Sequence, residues 1–88
     1  MTTVDGHRLV VAGPLTMSTV AQEIDAGRRA VLAGATEIDL SGTTDIDSAA
    51  LAMVLDWVRA AKKPLKIVGM PQSMASLAAL YGVGALIA

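Results

Sequence analysis

The chain is 88 residues long with a mass of 9.0 kDa, which is the length of one domain, since single cores divide only well beyond ~200 residues. It contains no cysteine, which excludes a disulfide framework, a thiol nucleophile and cysteine-ligated zinc. Seven Lys and Arg against eight Asp and Glu leave a formal charge of -1 and no net basic footprint for nucleic acid, and aromatics limited to Trp57 and Tyr81 give bases or sugars no stacking platform.

Residues 7–12 (HRLVVA) form a β-branched-rich run closed by Gly13-Pro14 and read as a strand. Over residues 16–32 the period changes. Val20, Ile24, Gly27 and Val31 recur at helical spacing among Gln22, Glu23, Asp25, Arg28 and Arg29, with Gly34 as the stop. Residues 36–40 alternate strictly and predict a strand with Thr36, Ile38 and Leu40 on its covered face. The polar stretch 41–47 reads as a loop, and Ser48 opens a helix that runs to about Lys63, before the stop at Pro64. Residues 65–68 form another strand, and Ser73 opens a last helix with Leu77 and Leu80 facing inward until Gly82.

The order β-α-β-α-β-α predicts an α/β fold with a mostly parallel sheet, its site at the strand-to-helix loops. Residues 1–88 are taken as one domain. The hydrophobic fraction of 53% and mean hydropathy of +0.56 are raised by 16 alanines. The longest apolar run, 49–55, is far shorter than the ~20 residues that cross a bilayer. The opening MTTVDG lacks the basic-then-apolar design of a signal peptide, so a cytoplasmic location without membrane insertion is expected.

Asp45 and Asp47 around Ile46 invite a magnesium or aspartyl-nucleophile reading, for which Asp39, Lys63 and Lys66 are the remaining candidates. The simpler reading is that Asp47 or Ser48 caps the following helix, for about 1 kcal/mol. Ser48 is also a plausible phosphoacceptor, because a helix N-terminus favours added negative charge, although Asp45 and Asp47 would repel it. His7 and Tyr81 are placed at the strand edge and the border of the core.

On the helix after Ser48, apolar residues cover an arc of roughly 240°, more than one sheet can hide. With Leu51, Val54, Leu55 and Val58 on the sheet, Ala49, Met53, Trp57 and Ala60 are expected on a flank partly in water, a floor of small residues around one large anchor. Truncating Trp57 is then expected to weaken partner binding by ~2 kcal/mol or more with folding almost unchanged.

Ile38-Asp39-Leu40-Ser41, then Ile46-Asp47-Ser48, then Leu51-Ala52-Met53-Val54-Leu55 resemble the signature of STAS domains, the sulfate-transporter and anti-sigma-factor-antagonist modules. The tail Leu77-Ala78-Ala79-Leu80-Tyr81-Gly82-Val83 is similar to the last helix of the MlaB-like branch, a subunit of the phospholipid-transporting ABC system of Gram-negative bacteria. The resemblance covers essentially the whole chain and implies the α/β STAS fold, a small, mostly parallel or mixed sheet of about four strands with helices. Ser48 stands where that branch usually has threonine, Ala49 and Ala50 stand where glycines are usual, and the family's first strand is reduced to residues 2–4 or absent.

What the resemblance implies is a non-enzymatic, cofactor-free subunit that binds the cytoplasmic ATPase of a transporter, together with its permease, and so supports outer-membrane lipid asymmetry. Such a subunit sits peripherally at the inner membrane through its complex. Asp47 and Ser48 are the motif residues, and Ala49, Ala52, Met53, Asp56, Trp57 and Ala60 the expected interface. The alternative implied is an anti-sigma-factor antagonist switched by phosphorylation of Ser48 by an anti-sigma kinase. A chain without a Gly-Lys-Ser/Thr phosphate loop takes its ATP chemistry from a partner.

Overall fold

A computed structural model describes residues 1–87. Four strands, β1 (Thr2–Asp5), β2 (Arg8–Leu15), β3 (Glu37–Ile46) and β4 (Lys66–Val68), lie side by side in the order β1-β2-β3-β4. Three helices, α1 (Val20–Leu32), α2 (Ser48–Ala60) and α3 (Gln72–Leu80), follow β2, β3 and β4 in turn, and a short 3-10 turn spans Gly84–Leu86. The sheet is mixed: β1 runs antiparallel to β2, and β2, β3 and β4 run parallel.

The strand at the start exists, and it closes a hairpin. Asp5 pairs with Arg8 across Gly6-His7, with Gly6 at φ +63° in the first turn position, where a two-residue hairpin loop calls for glycine. Gly6 between the runs Thr2-Val4 and Leu9-Val11 is the signal that marks this hairpin in the sequence.

Two strand limits differ from expectation for one reason. Gly13-Pro14 does not end β2, and residues 41–46 are not a loop, because each segment pairs with the other: Ala12 with Gly42, Gly13 with Thr43, Leu15 with Ile46. Register shifts flank Ala12 and Gly13, so the ladder absorbs residues that break a regular alternation. A polar stretch becomes a strand when a neighbouring strand satisfies its backbone.

The expected helix stops hold where glycine supplies them. After α1, Ala35 N–H bonds Ala30 C=O and Gly34 N–H bonds Val31 C=O, with Gly34 at φ +111°; α3 ends in the same way at Gly82. This is the Schellman arrangement, which satisfies carbonyls the helix leaves open.

Leu9, Val11, Leu15, Ile38 and Leu40 of the sheet are buried beneath Ala30 and Val31 of α1, Ala50, Leu51, Met53, Val54 and Trp57 of α2, and Met74 and Ala78 of α3. Leu80 was expected to face inward and instead is 76% exposed, because Met74 and Ala78, four apart, define the inner stripe and Leu80 lies off it. Tyr81, expected at the core border, is exposed as well.

On the opposite face of the sheet, the first register row reads Asp5, Arg8, Glu37, Lys66 across all four strands. Charges alternate along it, an arrangement in which neighbouring strands attract across the ladder. Arg8 bonds Glu37 through Nε and reaches Asp39 at 3.6 Å.

Candidate functional site

The site predicted from the motif is built at the C-terminal end of β3. Asp47, at φ -127° and outside the helix, caps α2: Oδ1 accepts the N–H of Ala49 at 2.8 Å. Its other oxygen, Oδ2, accepts the N–H of Met17 at 2.9 Å, and its own N–H bonds Leu15 C=O at 3.3 Å. The carboxylate thus joins the segment entering α1 to the start of α2, and the backbone N–H of the same residue ties both to the end of β2. Capping falls to Asp47, which leaves Ser48 exposed at the first helical position.

Against the Asp47 carboxylate the structure brings the backbone of Met17, whose side chain is 80% exposed and which the sequence pattern did not single out. Ala52, one turn along α2, is also exposed, and Ala49 is half-buried. The outward stripe of α2 therefore runs Ser48, Ala52, Asp56, Arg59, at spacings of four, four and three.

The flank centred on Met53 and Trp57 is corrected by the structure. Trp57 is 0% exposed and Met53 1%; both are core residues. The indole lies against the backbone of α1 at Gly27, and its Nε1 donates to Ile24 C=O at 2.9 Å. The wide apolar arc of α2 is covered from two sides, by the sheet and by α1, so its large residues Met53 and Trp57 are hidden, while the small Ala52 and part of Ala49 reach water. Ala60 is half-buried and packs against this core. Asp56 is half-buried and holds Arg28 of α1 in a two-point ion pair, Arg28 Nε to Oδ2 at 3.1 Å and Nη2 to Oδ1. A Trp57→Ala substitution is accordingly a core truncation.

The residues that an enzymatic reading requires are not brought together. Asp39 accepts the hydroxyl and the N–H of Ser41, at 2.6 and 2.9 Å. These bonds, with a smaller contribution from Arg8, hold the Asp39 carboxyl below its ordinary value of 3.8. Lys66 pairs in register with Glu37 at the start of β3, eight residues from Asp45 along the strand, or roughly 26 Å. Among the described residues no three His, Cys, Asp or Glu gather as metal ligands, and no helix is long and apolar enough to cross a membrane.

The motif residues Asp47 and Ser48 thus lie at the end of a parallel strand and the start of the next helix, the first capping and the second exposed. A comparison with protein-family models matches residues 2–88 to the family described as MlaB, STAS domain. No curated protein matches closely enough to count as a relative. A match over essentially the full length, on a four-stranded mixed sheet with three helices, means that this chain belongs to the MlaB-type STAS domain family.

Proposed function

We propose that the chain is a non-catalytic subunit that binds the ATPase of a phospholipid-transporting ABC transporter and reaches the inner membrane through that complex, supporting outer-membrane lipid asymmetry. The observation that carries this reading is the fixed surface at the start of α2, where Ser48 and Ala52 stand exposed and Asp47 ties the helix N-terminus to the backbone of Met17, itself exposed. Small residues let a partner approach the helix closely, and Met17 supplies an adaptable apolar contact. A subunit that binds one ATPase state better than another raises the population of that state by its difference in affinity, with no chemistry of its own. The interface is thus moved from Met53 and Trp57, which are core, to Met17, Ser48, Ala49, Ala52 and the exposed edge of Asp56.

Co-expression of the tagged chain with the ATPase and permease tests this. Ser48→Arg and Ala52→Arg place long charged side chains on exposed positions, and each is expected to abolish co-purification while leaving thermal unfolding unchanged. Retention of the complex by both folded variants overturns the reading.

The second reading, an anti-sigma-factor antagonist, is favoured by the exposure of Ser48 itself, which leaves its hydroxyl open to a kinase. Asp47 already occupies the N–H of Ala49, so an added phosphate meets a carboxylate and acts by displacing a partner. Phosphopeptide mapping of the protein from its own host, finding stoichiometric phosphate on Ser48 and a kinase-like partner in place of the transporter, would establish it.

A further inference from the structure

The net charge of -1 conceals a strong separation of charge. The parallel strands all begin at one end of the molecule, where Arg8, Glu37 and Lys66 share a register row. Helices α1 and α2 return the chain to that same end, lying side by side as the Arg28–Asp56 pair shows. All seven Lys and Arg lie at this end: on the first row of the sheet, in the C-terminal halves of α1 and α2, or in the connection from α2 to β4.

The acids there are largely engaged. Glu37 and Asp39 pair with Arg8, and Asp56 pairs with Arg28; Asp5 sits beside Arg8 in the register row. Arg29, Arg59, Lys62, Lys63 and Lys66 are all exposed and make no ion pair among the described residues. Asp25, exposed in the middle of α1, lies near Arg28 and makes no ion pair among the described residues; at the far end stand Glu23, Asp45 and Asp47, with no Lys or Arg among them.

Helix dipoles account for part of this, since Arg29 and Arg59 sit in the last turns of α1 and α2, where a cation is favourable. They do not account for Lys62, Lys63 and Lys66, which lie beyond the helix. Nor is the end purely polar. Leu32, the last residue of α1, is 47% exposed, and Arg29 and His7 rim a cleft of about 520 Å³ floored by Val4, Ala26 and Ala30.

We infer that this basic end docks on an anionic lipid surface, with Lys62, Lys63 and Lys66 as its principal contacts. The choice of a lipid surface over an acidic protein face follows from the donors. Three of the five free cations are lysines, point charges on flexible stems that answer summed negative charge, whereas fixed carboxylates are matched by the planar fork of arginine. Exposed apolar groups at the same end, Leu32 at the close of α1 and Val4 on β1 at the sheet edge opposite β4, have a use at a headgroup boundary. The inference does not rest on the reading of the Ser48 end, which lies at the opposite pole and stays open to a protein partner while the basic end is docked.

The test uses the full-length chain alone, in co-sedimentation with vesicles of phosphatidylcholine and with vesicles in which a third of the lipid is phosphatidylglycerol. Binding is expected on the anionic vesicles at low salt, to be reduced near physiological salt, and to be absent on the neutral ones. Lys62→Gln with Lys63→Gln, both on exposed loop positions, is expected to weaken it roughly 30-fold, from the contribution of each basic residue near an anionic surface, with an unchanged circular dichroism spectrum. Ser48→Arg is expected to bind vesicles as the parent does, which separates this result from loss of the ATPase. No binding at low salt, equal binding to both vesicles, indifference to the lysine substitutions, or capture by immobilised polyglutamate in preference to anionic vesicles each overturns the inference.

Discussion

Gly27 and Trp57 fit together so closely that a Cβ built on Gly27 lies 2.0 Å from indole carbons Cε2 and Cζ2. The helix backbone of α1 is the wall of the indole's slot, and Ile24 C=O, one turn earlier, takes the ring N–H. Gly27→Ala therefore requires the ring to leave that position, and a loss of about 1–3 kcal/mol is expected, the usual cost of overpacking. Trp57→Ala empties the same slot and is expected to lose about 3–5 kcal/mol. Urea unfolding of both variants checks this; a Trp57→Ala protein as stable as the parent would return the indole to the surface and contradict the packing.

Asp47 is the second point at which one residue serves three segments. Asp47→Ala removes the acceptor for Ala49 and Met17 N–H together, so the loss should exceed the ~1 kcal/mol of an ordinary cap. Asp47→Asn keeps a side-chain oxygen and is expected to retain part of the difference. Ser48→Ala, at an exposed position with no capping duty, should leave the free energy of unfolding within about 0.5 kcal/mol of the parent. A larger effect at Ser48 than at Asp47 would reassign the cap.

At the end of β4, Gly69 adopts φ +67°, and a Cβ there meets Ser41 at 2.6 Å from its Cβ and 2.8 Å from its Cα and N. Neither the backbone conformation nor the approach to β3 admits a side chain, so Gly69→Ala is expected to destabilise by more than the ~1 kcal/mol of conformational strain alone. Gly34→Ala, also at positive φ but with open space around it, isolates the conformational part and should cost less. Thermal unfolding of the pair separates the two causes.

Asp39 offers a titration test. Its carboxylate is held below 3.8 by the Ser41 hydroxyl, then by Ser41 N–H, with Arg8 adding a smaller share. A carboxyl whose folded value is depressed stabilises the fold at pH values above its unfolded value, and this contribution is lost as pH falls through the folded value. Carboxyl-carbon NMR is expected to show Asp39 titrating at lower pH than in an unstructured peptide, and Ser41→Ala should move it back upward. An unchanged titration in Ser41→Ala would remove the hydroxyl as the main cause.

Much of the order of elements was legible in the residues, since it depends on local periodicity and local stops. The alternation of Thr36, Ile38 and Leu40, the helical recurrence of Val20, Ile24, Gly27 and Val31, and the stops at Gly34 and Gly82 each act within a few residues. The extension of β2 and β3 was hidden because it depends on pairing between residues about thirty apart. Gly13-Pro14 and Ser41-Gly42 carry weak strand preference, and only a partner ladder makes them strands.

The candidate site divided in the same way. That a cap stands at Asp47 or Ser48 follows from a short motif and the chemistry of one helix end, and the sequence by itself determined that much; the structure gave the duty to Asp47, whose Oδ1 takes the N–H of Ala49. Whether Met53 and Trp57 faced water or core could not be read from the helix that carries them, since their apolar arc is the same in either case. The tertiary structure decided it by laying Gly27 of α1 over that arc, because a residue without a side chain is what lets an indole reach the backbone of a neighbouring helix. The gathering of the cations at one end was decided likewise: the sequence contains their number, but two helical crossovers between parallel strands bring residues from position 8 to position 66 to the same pole.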